Sequence, residues 1–377
     1  MKLVRLTAIA RKEVLQIWRD PRSLMLALLM PAMQMLLFGY GVNLDVDHLP
    51  TCTFDREGSQ GSQALMKRFQ ASHYFEITRV VGSYAALKAA VDDGTCKLAI
   101  VVPPDFSAML VAAGSSSVQA IVDATDQNTA TLALGYAQAV VGTFANDVAV
   151  EWAELHGRAQ PTQSVSVDSR VWFNEQLESR NFIIPGVVAL IMALVGAQLT
   201  SLTIAREWER GTMELLVSTP VKPMELMIGK LVPYFAIGLL DAAFCLVFAI
   251  AWFDVPFRGS YVTLFLTTSL FLVVILGIGY LISVAIRSQV GASQIALLLT
   301  MLPTTLLSGF AFPIDQMPAV IRAITYLVYG RYYVTILKSV FLKGSGLTDL
   351  LLPVAALSVY AAAIAFLAAR AFRKTLD

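Results

Sequence analysis

Long stretches without a single Asp, Glu, Lys or Arg constrain this chain more than any other feature. A helix needs about 20 apolar residues to cross the hydrocarbon core of a bilayer, because each residue advances it by about 1.5 Å. Runs of that length cover Ser23 to Leu44, Asn181 to Ala205, Leu231 to Phe253, Gly259 to Ile286, Ser288 to Ile314 and Leu350 to Ala369. Only the third contains a charge, Asp241. A lone Arg287 separates the fourth from the fifth, which predicts a hairpin with a very tight turn. The expectation is an α-helical integral membrane protein with six transmembrane helices. Composition agrees: 56% of the 377 residues are hydrophobic and 15% charged, against about one quarter charged in soluble domains. The first run is longer than a secretory signal core and follows about 20 residues of helical character, so it reads as a permanent span.

Short cytoplasmic segments collect Lys and Arg, and that bias sets orientation. Lys2, Arg5, Arg11, Lys12, Arg19 and Arg22 precede the first run. Arg206, Arg210, Lys222 and Lys230 follow the second, and Arg287, Arg370, Arg373 and Lys374 fall on the same side. Both termini are therefore expected in the cytoplasm and residues 45–180 outside it. Residues 1–21 place Leu3, Leu6, Ile9, Val14, Ile17 and Trp18 at helical spacing, with basic residues between them. This predicts an amphipathic helix lying in the membrane interface, with Trp18 at headgroup level and a break at Pro21. Residues 22–44 then form the first span.

Residues 45–180 change character. Strand-like runs at Thr51–Phe54, Tyr74–Val81, Lys97–Val102, Ser117–Val122 and Val165–Phe173 alternate with helical ones, the longest at Gln127–Glu154. Such alternation predicts an inserted α/β domain with a partly parallel sheet. No nucleophile–histidine pairing stands out there, and no catalytic residue is expected anywhere. Asp123, Asp126 and Asn128 sit where a strand meets a helix, the place for short oxygen side chains that cap free N–H groups. Three Cys and three His are too few and too scattered for a metal site. Cys52 and Cys96 lie at strand edges on the side where disulfides form. They can pair, although two buried free thiols are the expected state. A net charge of +1 gives no bulk attraction to nucleic acid.

The loop between the second and third apolar runs is the most informative segment. Arg206, Glu207, Glu209 and Arg210 crowd the end of a span, and Gly211-Thr212 should break that helix and cap a new one. Met213, Leu215, Leu216 and Val217 give the new helix an apolar side, and Thr219-Pro220 ends it. Glu207-Trp-Glu-Arg-Gly-Thr-Met-Glu-Leu-Leu-Val-Ser-Thr-Pro220, followed by Gly229-Lys-Leu-Val-Pro-Tyr234, resembles the ABC exporter permeases of the second type, the ABC-2 family. Pro103-Pro-Asp-Phe106, Ser308-Gly-Phe-Ala-Phe-Pro313, Met317-Pro318, Arg331-Tyr-Tyr333 and Phe341-Leu-Lys-Gly344 extend the resemblance over essentially the whole chain. Within the family it is similar to the multidrug-type subfamily with a large extracytoplasmic domain. It departs at Tyr329-Gly330, where a Pro is usual, and at Lys338, where an Arg is common.

The resemblance implies a permease subunit of an ATP-driven exporter in a bacterial inner (plasma) membrane, moving a hydrophobic, drug-like or lipid-like substrate. Residues 181–377 would carry five further spans. Residues 206–219 would form the coupling helix facing a separate ABC ATPase, through Arg206, Glu207, Glu209, Arg210, Gly211, Thr212 and Glu214. Residues 315–335 would form a re-entrant outer segment, with Phe310, Phe312, Pro313 and Arg331 at an outer gate. Asp241, Gln198 and Gln294 are candidates for the substrate pathway, or for links between helices. A phosphate-binding G-x-x-x-x-G-K-[ST] loop does not occur, since Leu231 follows Gly229-Lys230. The chain is therefore expected to carry no cofactor, with ATP and Mg held by the ATPase. Further expected partners are a second permease, identical or a sister chain, membrane lipids and a candidate periplasmic adaptor. The competing reading is a membrane receptor whose external domain binds a ligand.

Overall fold

The computed structural model describes residues 3–21, 25–41, 48–113, 115–155, 173–174 and 178–371. Chain contacts divide it into two units, one formed by residues 1–43 and 171–377 and the other by residues 44–170.

The first unit is helical. It opens with α1 (Leu3–Trp18), a π-helical turn (Met25–Leu29) and α2 (Met30–Gly41). After the second unit come α7 (Ser179–Glu209), the short α8 (Met213–Ser218), α9 (Pro223–Ala251), α10 (Tyr261–Ala285) and α11 (Gln289–Leu307). Then follow α12 (Ala319–Thr325), α13 (Tyr329–Lys338), a π-helical turn (Ser339–Lys343) and α14 (Leu351–Ala371). Five of these, α7, α9, α10, α11 and α14, are long and apolar enough to cross a membrane. They coincide with five of the six predicted runs. The remaining run yields only the shorter apolar helix Ala27–Gly41, and its flanks lie outside the described residues.

The helix α7 is the hub, packing against α2, α9, α10, α11 and α13. Its residues 183–197 are buried on every side, as expected of a helix that is apolar all round. Small residues make this possible. Gly279 of α10 lies against the backbone of Ala197 and the hydroxyl of Thr200, where a side chain would collide. Ser283, one turn on, accepts hydrogen bonds from the N–H groups of Ile204 (2.8 Å) and Ala205 (3.0 Å). The α10–α11 hairpin turns within residues 286–288, with Ser288 as the N-cap of α11.

The second unit is α/β. Its sheet has the order β2-β1-β3-β4, from β1 (Leu49–Asp55), β2 (Phe75–Val80), β3 (Leu98–Val102) and β4 (Gln119–Val122). β1 runs parallel to β2 and β3, and β4 is antiparallel to β3. Parallel pairs need crossover helices, supplied by α3 (Gln60–Ala71) and α4 (Tyr84–Asp92). Next to them lie α5 (Phe106–Ala113) and α6 (Gln127–Leu155). β3 is buried along its whole length, with Leu98 and Ile100 facing Leu65, Phe69 and Ala133, and Ala99 and Val101 facing Cys52 and Leu87. The strand predicted at Val165–Phe173 falls almost entirely outside the described residues, as does His156.

One expectation fails here. Cys52 and Cys96 are not free thiols but a disulfide, with Cα atoms 5.7 Å apart. The parallel pairing of β1 with β3 brings the start of β3 beside Cys52, which sequence alone could not place. At the polar knot before α6, Asp123 also forms an ion pair. Lys97 donates to its carboxylate at 2.6 Å, and Thr125 donates through N–H and hydroxyl. The lysine, more than the threonine bonds, holds the Asp123 carboxyl below the usual carboxylate range.

Candidate functional site

The charged end of α7 is where the conspicuous loop motif sits. The predicted segment 206–219 is not one helix. Arg206 to Glu209 complete α7, and the chain then turns through Gly211 at φ +68°, whose N–H bonds back to Trp208 at 3.1 Å. Glycine takes that left-handed backbone without penalty. Thr212 precedes α8 with helical backbone angles and does not cap it. Its hydroxyl instead donates to Glu207. The far end of the loop is fixed by Glu225, which accepts the N–H of Lys222 at 3.1 Å as α9 begins.

Beneath this loop lies a buried ionic cluster that sequence reasoning missed. Lys230 of α9 and Glu13 of α1 are each 1% exposed, and Glu207 is 4% exposed. The Lys230 ammonium donates to Glu13 (2.6 Å), to Glu207 (3.0 Å) and to the carbonyl of Thr203 (3.3 Å). An ammonium has three donors, and all three are used. Lys12 donates to Glu207 and, at 3.5 Å, to Glu13. Tyr234 donates its hydroxyl to Glu13 at 3.4 Å. Two lysines thus face two carboxylates, and the charges balance. Buried charge is tolerated only when paired and hydrogen-bonded in this way. The cluster ties α1, α7 and α9 together.

Outer contacts repeat the pattern. Arg206 pairs with Asp20 at 3.0 Å, and Arg5 pairs with Glu225 at 3.8 Å while donating to the carbonyl of Pro220. Glu209 accepts the N–H of Gln289 at 2.7 Å together with its side-chain amide. Arg287 lies over the ring of Trp208 at 4.4 Å. Both ends of the loop and the α10–α11 turn are therefore anchored to one platform. Facing away from it are Arg210, Gly211, Glu214 and Leu215, all exposed, Leu215 by 69%. Met213 is buried. The motif splits into an inner half that locks the helices together and an outer half that presents a charged and apolar surface.

The helix α1 is correspondingly more than an interfacial float. It packs on α9 and buries Glu13 and Ile17, while Trp18 stays exposed. A single acid among the basic residues of an amphipathic helix was the available sign of this contact.

The three pathway candidates occupy different places. Asp241 is buried on α9 and lines a cavity beside α1. Gln198 of α7 accepts the hydroxyl of Ser293 of α11 at 3.2 Å, a link between helices. Gln294 is exposed on α11. At the predicted outer gate, Phe310 is buried against Gly186 of α7 and meets Phe38 edge-on at 6.1 Å. Phe312 and Pro313 are exposed. Arg331 donates to Thr325 and stacks on Tyr326 at 3.8 Å. Lys338 donates to the carbonyl of Gly309 at 2.7 Å and lies over Phe182, so it pins the turn that carries Phe310. Within the predicted re-entrant segment, α12 exposes Ile321, Ile324 and, just beyond it, Leu327, while Val328 is buried.

Comparison with known proteins places this arrangement. A family model described as ABC-2 family transporter protein matches residues 23–370. The probable multidrug ABC transporter permease YbhS of Escherichia coli (strain K12) is 39% identical over 365 residues, covering 96% of this chain and 94% of that protein. The probable multidrug ABC transporter permease YbhR of the same organism is 28% identical over 343 residues, 91% of each chain. Its inner membrane transport permease YhhJ is 26% identical over 332 residues, covering 87% of this chain and 86% of that one. The chain belongs to the ABC-2 transporter family, as a multi-pass membrane protein similar to permeases named as probable multidrug transporters.

Proposed function

We propose that this chain is the membrane-spanning subunit of an ATP-driven exporter that moves a hydrophobic, drug-like or lipid-like substrate out of the cytoplasm or inner membrane. A separate ATPase, binding ATP and Mg, docks on the exposed half of the loop motif: Arg210, Glu214 and Leu215, with Gly211 setting the turn. Arg206, Glu207, Glu209 and Thr212 act behind them by orienting that surface. The observation that carries this reading is the ionic cluster, which joins the exposed α8 loop to α1, α7 and α9. A push on α8 is thereby delivered to three helices at once instead of bending a loose loop. Two states of the ATPase then bias two arrangements of the helices.

Residues 22–44 act as a sixth span, and both termini lie in the cytoplasm of a bacterial cell. Residues 45–180 lie outside. The disulfide supports that topology, because such bonds persist in oxidising compartments. A second permease, identical or a sister chain, completes the pathway, and the external domain is available to a periplasmic adaptor.

The test is co-purification from mild detergent. The native chain is expected to bring down an ATPase subunit. Leu215→Asp and Glu214→Lys, both at exposed positions, should lose it while the permease stays folded by size exclusion. Retention of the ATPase by both variants would remove the loop from the docking surface.

A further inference from the structure

A cavity of about 430 Å³ lies between α1, the residues around Leu28 and one stripe of α9. Its walls include Ile17, Trp18, Leu28, Ile237 and Leu240, and among the described residues the only charged group on them is Asp241. This acid is 5% exposed. Among the described residues it has neither a hydrogen-bond donor nor a basic partner, unlike Glu13, Glu207 and Glu225, the other buried acids of this unit. An ionisable group inside apolar walls is costly to insert and persists where a partner or a cavity uses it. The mouth is ringed by exposed apolar side chains: Trp18 (77%), Leu28 (67%) and Leu240 (71%). A ligand would therefore enter from the lipid and not from water. The indole of Trp18 adds an electron-rich face at that mouth. A smaller cavity of about 270 Å³ around Leu246 and Phe265 has no charged group among its described lining residues.

We propose that the cavity beside Asp241 binds lipophilic organic cations taken from the membrane, with the Asp241 carboxylate as counter-charge. Pairing the two charges inside apolar walls neutralises both, while an anion of the same shape would be repelled. The proposal rests on the permease reading and narrows its substrate class to amphipathic monocations.

Tetraphenylphosphonium and tetraphenylborate have the same shape and opposite charge, so they separate the charge from apolar fit. Binding of each to the full chain in phosphatidylcholine nanodiscs is measured by equilibrium dialysis, with empty discs subtracted. The native chain should hold the cation at least about tenfold more tightly than the anion. Asp241→Asn should remove that preference, and Asp241→Glu should keep it. Ala236→Phe, which fills the cavity from its lining and leaves the acid in place, should lose the cation; it carries the test if Asp241→Asn does not fold. Equal binding of the two ions to the native chain, no binding of either above empty discs, or cation binding unchanged in Ala236→Phe overturns the proposal. The assay contains neither ATPase nor nucleotide, so its failure leaves ATPase co-purification untouched, and loss of co-purification leaves this result standing.

Discussion

Replacing Lys230 with Met tests whether the ionic cluster holds the helices as described. Met fits the volume of the lysine stem but supplies no charge. Glu13 and Glu207 would then face each other with Lys12 as the one cation paired with them among the described residues, and Lys12 is 47% exposed in its side chain. Removing one partner of a buried ion pair costs about 3–5 kcal/mol. Lys12 remains and still reaches both carboxylates, so the lower half of that range applies. With about 2–4 °C per kcal/mol for chains of this size class, the apparent melting temperature should fall by roughly 6–16 °C. Cys245 is a buried free thiol, so a thiol-reactive dye reports unfolding of the helical unit directly. The double variant Lys230→Met with Glu207→Gln restores charge balance and should recover part of the loss, which a double-mutant cycle reads as coupling. A melting temperature for Lys230→Met within about 2 °C of native, a difference typical of surface changes, would refute the cluster's role.

Other outcomes follow from the same physics. Gly211→Ala should cost about 1–2 kcal/mol by forcing a side chain into left-handed backbone, seen as a lower melting temperature. Reducing or removing the Cys52–Cys96 bridge frees a loop of 44 residues and should destabilise the 44–170 unit by about 4 kcal/mol in the chain-entropy account, seen as faster limited proteolysis. The Asp123 carboxyl is held below its ordinary range, so its contribution is complete above about pH 4 and is lost as pH falls further. Asp123→Asn should flatten that acid limb in proteolysis measured against pH.

What could be read from sequence followed from how local each cause is. The apolar runs at 181–205, 231–253, 259–286, 288–314 and 350–369 are decided by the solvent they must match, and α7, α9, α10, α11 and α14 follow them. The sheet was also legible, because β-branched runs such as Leu98–Val102 alternate with helical spacing. The loop break at Gly211 is a backbone property of one residue. By contrast, Lys230 reads in sequence as one more basic residue beside a span, and Glu13 as an exception on a basic helix. Each becomes meaningful only when α1 and α9 pack together, and packing is not encoded in spacing. The Cys52–Cys96 bridge was hidden for the same reason, since it depends on strand order and not on the sequence separation of 44. Asp241 was visible as an isolated charge, but the cavity that gives it a use is built from α1 and the first apolar run together.

Docking of an ATPase on α8 can be read at the contact itself by site-specific photo-crosslinking. A crosslinking side chain is placed at position 215, which is exposed beside the ionic platform, and in a second chain at position 261, which is exposed at the start of α10. After irradiation in native membranes, adducts are identified by mass spectrometry. Position 215 should give an adduct with a polypeptide carrying a phosphate-binding loop, sensitive to added nucleotide, and position 261 should give none. An adduct from position 261 alone, or none from 215 under conditions where the ATPase co-purifies, would contradict docking on α8.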